Sequence, residues 1–119
     1  MQYAIDADQE FLRVKVSGRK TDQPPSDVCA LIFDESEKRD RPRILIELDQ
    51  KFPLSPTSQY QLVTRLPQIG FGAKHRVALV HKTHEARESN HFINLVAWNH
   101  GVNVRNFPAL TDAEAWLRE

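Results

Sequence analysis

From Leu12 to Val16 the chain alternates strictly, with Leu12, Val14 and Val16 apolar and Arg13 and Lys15 charged. That period of two predicts a half-buried strand. Residues 2–6 predict a strand before it, with Ala7, Asp8 and Gln9 as the turn, so the chain opens with a β-hairpin that closes at Gly18. Arg43 to Leu48 and His75 to Val80 are almost continuously apolar after their first residues, the pattern of strands buried on both faces. Val102 to Phe107 predicts a last, short strand.

Helical patterns separate these strands. Pro24 and Pro25 suit a first turn, where no amide bond is lost, and Val28, Leu31 and Ile32 follow at helical spacing until the polar run from Glu35 to Arg41. Asp49 to Leu54 predicts a loop, and Ser55 before Pro56 marks the start of a second helix carrying Leu62, Val63, Leu66 and Ile69. Pro67 is expected to kink or end it, with Gly70 and Gly72 in a turn. Beyond a charged loop from Lys82 to Glu88, Phe92, Ile93, Val96 and Ala97 predict a third helix ending at Gly101. Thr111 and Glu114 form a Thr-x-x-Glu capping box ahead of Ala115, Trp116 and Leu117, which predicts a terminal helix.

The order is β-β-α-β-α-β-α-β-α. It predicts an α/β fold with a five-stranded, mostly parallel sheet and an antiparallel N-terminal strand, in one domain over residues 1–119. The expected core contains Val14, Val16, Leu45, Val77, Leu79, Val96, Phe107 and Trp116. Trp98 falls off the Phe92–Val96 stripe, on a broad apolar arc.

Composition narrows the function. The chain has 119 residues, 40% hydrophobic and 27% charged, which suits a folded domain rather than a disordered one. Its 16 basic residues balance 16 acidic ones, so nothing draws it electrostatically to nucleic acid or an anionic membrane. No apolar run approaches the ~20 residues of a membrane span, and the first residues lack the charge and apolar stretch of a signal peptide. Cys29 is the only cysteine, which fits a reducing compartment, and a cytoplasmic location is expected.

The strand at Arg76 to Val80, the strand at Val102 to Phe107 and the segment Thr111-Asp-Ala-Glu-Ala-Trp-Leu117 carry a resemblance. Together with the element order, they make the whole chain similar to the STAS or SpoIIAA-like superfamily of anti-sigma-factor antagonist domains, and to its small bacterial CRAL-TRIO-like branch. The resemblance implies a SpoIIAA-like sheet and a regulatory binding role. Signalling members carry Asp-Ser-Ser/Thr-Gly at the start of the second helix. Counted without gaps, that tetrad falls on Ser55-Pro56-Thr57-Ser58, which puts proline at the phosphate-acceptor position. A dedicated phosphorylation switch at Ser55, Thr57 or Ser58 is therefore not expected.

Catalytic motifs are weak. His84-Glu85 is followed by Glu88 where a zinc-binding His-Glu-x-x-His motif needs histidine, and His81, His91 and His100 do not complete a metal spacing. Ser17-Gly18 lacks the preceding residues of a nucleophile elbow. Gly70-Phe71-Gly72 precedes a strand, whereas a dinucleotide loop follows one. Cys29 reads as a small core residue, and Glu47 and Asp49 as strand-end carboxylates. No catalytic residue, metal ligand or cofactor is assigned.

Open parallel sheets bind ligands beyond the carboxyl ends of their strands. That edge gathers Lys51, Ser55, Thr57, Ser58, His81, Lys82 and His84, with Arg19, Lys20 and Asp49 nearby. The residues suit a phosphate or carboxylate held by basic side chains and helix amides. The leading expectation is a non-catalytic binding module with a protein partner or small ligand. A carrier of an apolar or amphipathic, lipid-like ligand is the alternative, and an enzyme a minor one. A homodimer is compatible with the sequence.

Overall fold

The computed structural model describes residues 2–18, 25–50, 56–72, 74–81 and 103–119. They form β1 (Gln2–Ala7), β2 (Leu12–Gly18), α1 (Pro25–Arg39), β3 (Arg43–Gln50), α2 (Pro56–Ile69), β4 (Arg76–His81), β5 (Val104–Phe107) and a terminal helix, α3 (Leu110–Arg118). The fold is α/β. The expected third helix, with Val96 and Trp98, lies outside the described residues.

The strands lie side by side in chain order, β1 antiparallel to β2 and all others parallel. Asp8 makes the hairpin turn. Its Oδ1 accepts from the amides of Glu10 and Phe11 at 2.8 and 2.7 Å, an Asx-type turn that sets the β1–β2 register.

Parallel crossovers keep one hand, so consecutive neighbouring strands send their helices to one face. That face holds the larger core, where Leu12, Val14, Val16, Ile44, Ile46, Val77, Leu79 and Val104 meet Ile32 of α1 and Val63 and Leu66 of α2. The opposite face shows Phe11, Leu45, Ala78 and Val80, and α3 covers it with Ala113 and Leu117. The apolar runs of β3 and β4 follow from this, because Ile44, Leu45 and Ala78 are buried from opposite sides.

Several expectations change. The α3 capping box does not form: Ala109 is the N-cap, extended at φ −144° and ψ 154°, with no side-chain cap bond. The helix starts at Leu110, whose side chain packs into the smaller core, while Glu114 turns away to the Arg13 guanidinium at 3.0 Å. Phe107 and Trp116 are only partly buried. Their rings meet 5.5 Å apart at the rim, because Ala113 and Leu117, one turn apart, take the face against the sheet. Pro67 does not end α2, which runs on to Ile69. The helix stops at Gly70, where the carbonyl of Leu66 accepts from the amides of both Gly70 and Phe71.

Gly70 is required by two constraints at once. Its φ is +132°, and a Cβ there would lie 2.5 Å from Cζ of Phe33. Asp40, after the last turn of α1, also takes a left-handed φ of 53°, and Arg41 closes that helix end by donating its amide to Ser36 O at 2.9 Å.

Two expectations follow for chemical denaturation. Leu117→Ala should cost about 2–5 kcal/mol, as buried leucines do, and more than Trp116→Ala. Gly70→Ala should cost at least about 1 kcal/mol, because strain and overpacking add. A loss from Trp116→Ala equal to that from Leu117→Ala would contradict the burial described.

Candidate functional site

The parallel register brings the carboxyl ends of β2 and β3 level and sets the end of β4 two residues short of them. Gly18 pairs with Gln50, and Leu48 pairs with His81, so β2, β3 and β4 end along one edge. β3 extends through Asp49 to Gln50, two residues past the expected strand end. α2 begins at Pro56, which leaves a five-residue connection after β3 and puts Thr57 and Ser58 in the helix's first turn. His81 is the last residue of β4. Of the sequence-predicted site, Thr57, Ser58 and His81 thus have a described backbone, while Lys51, Ser55, Lys82 and His84 lie outside the described residues.

The opposite edge is better defined, and its polar groups bind one another. Asp8 Oδ2 accepts from Nε of Arg13, and the carbonyl of Asp8 accepts from Nε of Arg41 at 2.9 Å. Arg41 also donates to the carbonyls of Arg39 and Asp40, which caps α1. Arg13 reaches across to Glu114, and Arg118 pairs with Glu10 at 2.9 Å, so α3 is pinned to the hairpin at two points. The guanidinium carbons of Arg13 and Arg118 stand 5.6 and 5.4 Å from the ring centre of buried Phe11. Arg76 holds the last turn of α3, donating to the carbonyl of Trp116 at 2.9 Å and lying over its ring.

Beside this network lies His75, 3% exposed. The amide of Gly72 donates to its Nδ1 at 3.1 Å, so the proton sits on Nε2, which faces Oε1 of Glu37 at 3.1 Å. Lys74 pairs with the same carboxylate at 3.2 Å, and Phe33 and Phe71 flank the imidazole at 5.4 and 5.3 Å. Sequence reading placed His75 at a strand start and missed this role; its partner Glu37 is 38 residues away.

The perturbed groups follow these contacts. Partial desolvation opposes ionisation of Asp8, but the amides of Phe11 and Glu10 and the charge of Arg13 outweigh it and hold the carboxyl at about 2. The hydrogen bond from Lys74, and then that from His75, lowers Glu37 below the usual carboxylate range. Burial pushes the Cys29 thiol up to about 12, so it stays protonated and packs as a small apolar group, as the sequence suggested.

Cys29 also lines an apolar cavity of about 40 Å³ within the larger core, with Ile32, Ile46, Val63, Leu66, Phe71, Val77, Leu79 and Val104. Among the described residues, no group of three or more His, Cys, Asp or Glu side chains is placed to hold a metal ion. No described helix is long and apolar enough to cross a membrane. In comparisons with family models, curated proteins and solved structures, nothing matches this chain.

Because Asp8 and Glu37 are depressed in the folded state, they add stability above the unfolded carboxylate range. For Asp8 that contribution is lost as pH falls from about 4 toward about 2, and for Glu37 it is lost as pH falls below the usual carboxylate range. Asp8→Asn should therefore lower stability at neutral pH and flatten the acid limb of the stability curve. Added salt should shrink the difference, since the Asp8 side chain is 40% exposed. An acid limb identical in wild type and variant would contradict the role given to Asp8.

Proposed function

We propose that the chain is a non-catalytic, STAS-like binding module that takes an anionic group of its partner, a phosphate or carboxylate, at the carboxyl edge of its parallel strands. The observation that carries this reading is the contrast between the two edges. At the amino-terminal edge, Asp8, Arg41, Glu37, Lys74 and His75 hold one another and the turns they sit in. At the carboxyl edge, β2 and β3 end level and β4 ends two residues short of them, and from this edge the chain leads into α2, whose leading amides have no partner within the helix.

The element order and the sheet support the resemblance to STAS domains at the level of fold, and a regulatory role in a bacterial cytoplasm is the reading it suggests. Pro56, the first residue of α2, stands where that family phosphorylates serine, so the module is proposed to act by occupancy rather than by phosphorylation.

Among the described residues, the carrier reading gains one apolar cavity, and that one is small. At about 40 Å³ it is far smaller than the ~150 Å³ apolar cavity that admits benzene. It is smaller still than the roughly 300–1,000 Å³ of drug-sized ligand sites. An enzymatic reading would need a carboxylate or thiol tuned for proton transfer or attack. Among the described residues the shifted groups go the other way, with two carboxylates held ionised and a thiol held protonated.

Inorganic phosphate titrated into isotopically labelled protein tests the proposal. Amide shifts are expected to cluster at residues 50–58 and 81–84, to weaken with added salt, and to fall at least several-fold in affinity in a Lys51→Ala, Lys82→Ala double variant. Shifts clustered at residues 8–13 and 72–76, or an affinity indifferent to both lysines, would overturn it.

A further inference from the structure

β1 is the terminal strand of the sheet, and its inner edge is fully engaged, all six residues pairing with β2 without interruption. Among the described residues, nothing pairs with its outer edge. Sheet edges are commonly blunted by proline, lysine or a bulge. The sequence Gln-Tyr-Ala-Ile-Asp-Ala contains neither proline nor lysine, and its unbroken register leaves no room for a bulge. Its surroundings are uncovered on the α3 side, where Ala4, Asp6 and Lys15 are exposed.

We propose that this edge is the docking surface for a second copy of the chain, with β1 pairing antiparallel to the partner's β1 about a two-fold axis through Ile5. The closed symmetry of such a pair is the commonest for soluble oligomers. The register follows from the alternation of side chains, because opposed residues must share a face. Centred on Ile5, the pairing sets Ala4 opposite Asp6 of the partner subunit.

Charge complementarity selects the occupant. Within one copy, Glu47, Lys15 and Ala4 lie in a single row across β3, β2 and β1. Asp6 lies in a row with Arg13. The dimer joins the two rows as Glu47, Lys15, Ala4, the partner's Asp6 and the partner's Arg13, so that negative and positive charges alternate across the seam. The two-fold axis repeats the row in reverse. Neighbouring strands are about 5 Å apart, and the methyl group of Ala4 leaves the Lys15 stem free to lean over it. Lys15 forms no ion pair among the described residues, so this charge is available. On the other face, Ile5 is partly buried against the larger core and gains the partner's Ile5 as a direct cross-strand neighbour. A net charge of zero adds no general repulsion between copies.

β1 flanks the sheet laterally, so the dimer leaves the carboxyl edge open and stands independently of the function proposed for it. Sedimentation velocity of the full chain at low salt, in a concentration series up to about 1 mM, tests the seam. A species of twice 13.7 kDa is expected. Lys15→Glu and Asp6→Lys should each weaken it at least about tenfold by setting like charges in one row, and the double variant should recover it. Hydrogen exchange of the 2–7 segment in the wild type supplies a readout free of substitutions and should slow as concentration rises. A monomer throughout the series, a dimer indifferent to both single changes, a double variant that stays weak, or exchange in 2–7 independent of concentration would each overturn the proposal.

Discussion

Burial of the sheet on both faces is the constraint on which the rest of this structure depends. A sheet whose parallel strands follow one another in chain order receives its crossover helices on one side. Leu45, Ala78 and Val80 would then face water, and among the described elements it is α3, arriving after the last strand, that covers them. The fully buried alanines, Ala78 on the strand and Ala113 on the helix, let the two approach closely, and Leu117 fills the remaining space. Polar contacts then fix the helix in place: Arg13 and Arg118 join it to the hairpin, and Arg76 closes its end. Hairpin, central strands and terminal helix are therefore one cooperative unit, although residues 13 and 114 are 101 positions apart.

That arrangement divides the molecule's polar surface. Turns entering β2, β3 and β4 all lie at the amino-terminal edge, and each is held by a side chain: Asp8 in the first, Arg41 and Ser36 in the second, His75 in the third. Buried polar groups such as Ser36 and His75 are satisfied by these contacts, as a stable interior demands. An edge whose donors and acceptors are matched internally has little left for a ligand. That contrast is why recognition is proposed at the other end of the strands, from which the chain leads into α2.

The sheet was legible from local pattern because strand alternation is a short-range signal. Leu12 to Val16 shows its period of two and Ile44 to Leu48 its apolar run within a few residues, and Asp8 advertises its turn by residue type. The α3 start was misjudged for a physical reason. Thr111 and Glu114 satisfy a local capping rule, yet Leu110 gains more by packing one residue earlier, and Glu114 has a distant cation to meet. Trp116, expected in the core, is only partly buried because the four-residue spacing of Ala113 and Leu117 decides which side faces the sheet. The pairs Arg13–Glu114 and His75–Glu37 carry no local signature at all, since only the closed fold brings them together. At the candidate site, the backbone of Thr57, Ser58 and His81 stands on the edge that strand order predicted.

Native-state hydrogen exchange tests the dependence of the sheet on its terminal helix most directly. If α3 closes the second face as described, its central amides, from 114 to 117, should exchange only through the same global opening that releases β3 and β4, with one shared free energy and denaturant slope. Exchange of α3 through a smaller, separate opening that leaves β3 and β4 protected would show that the sheet stands without it, and would contradict this account.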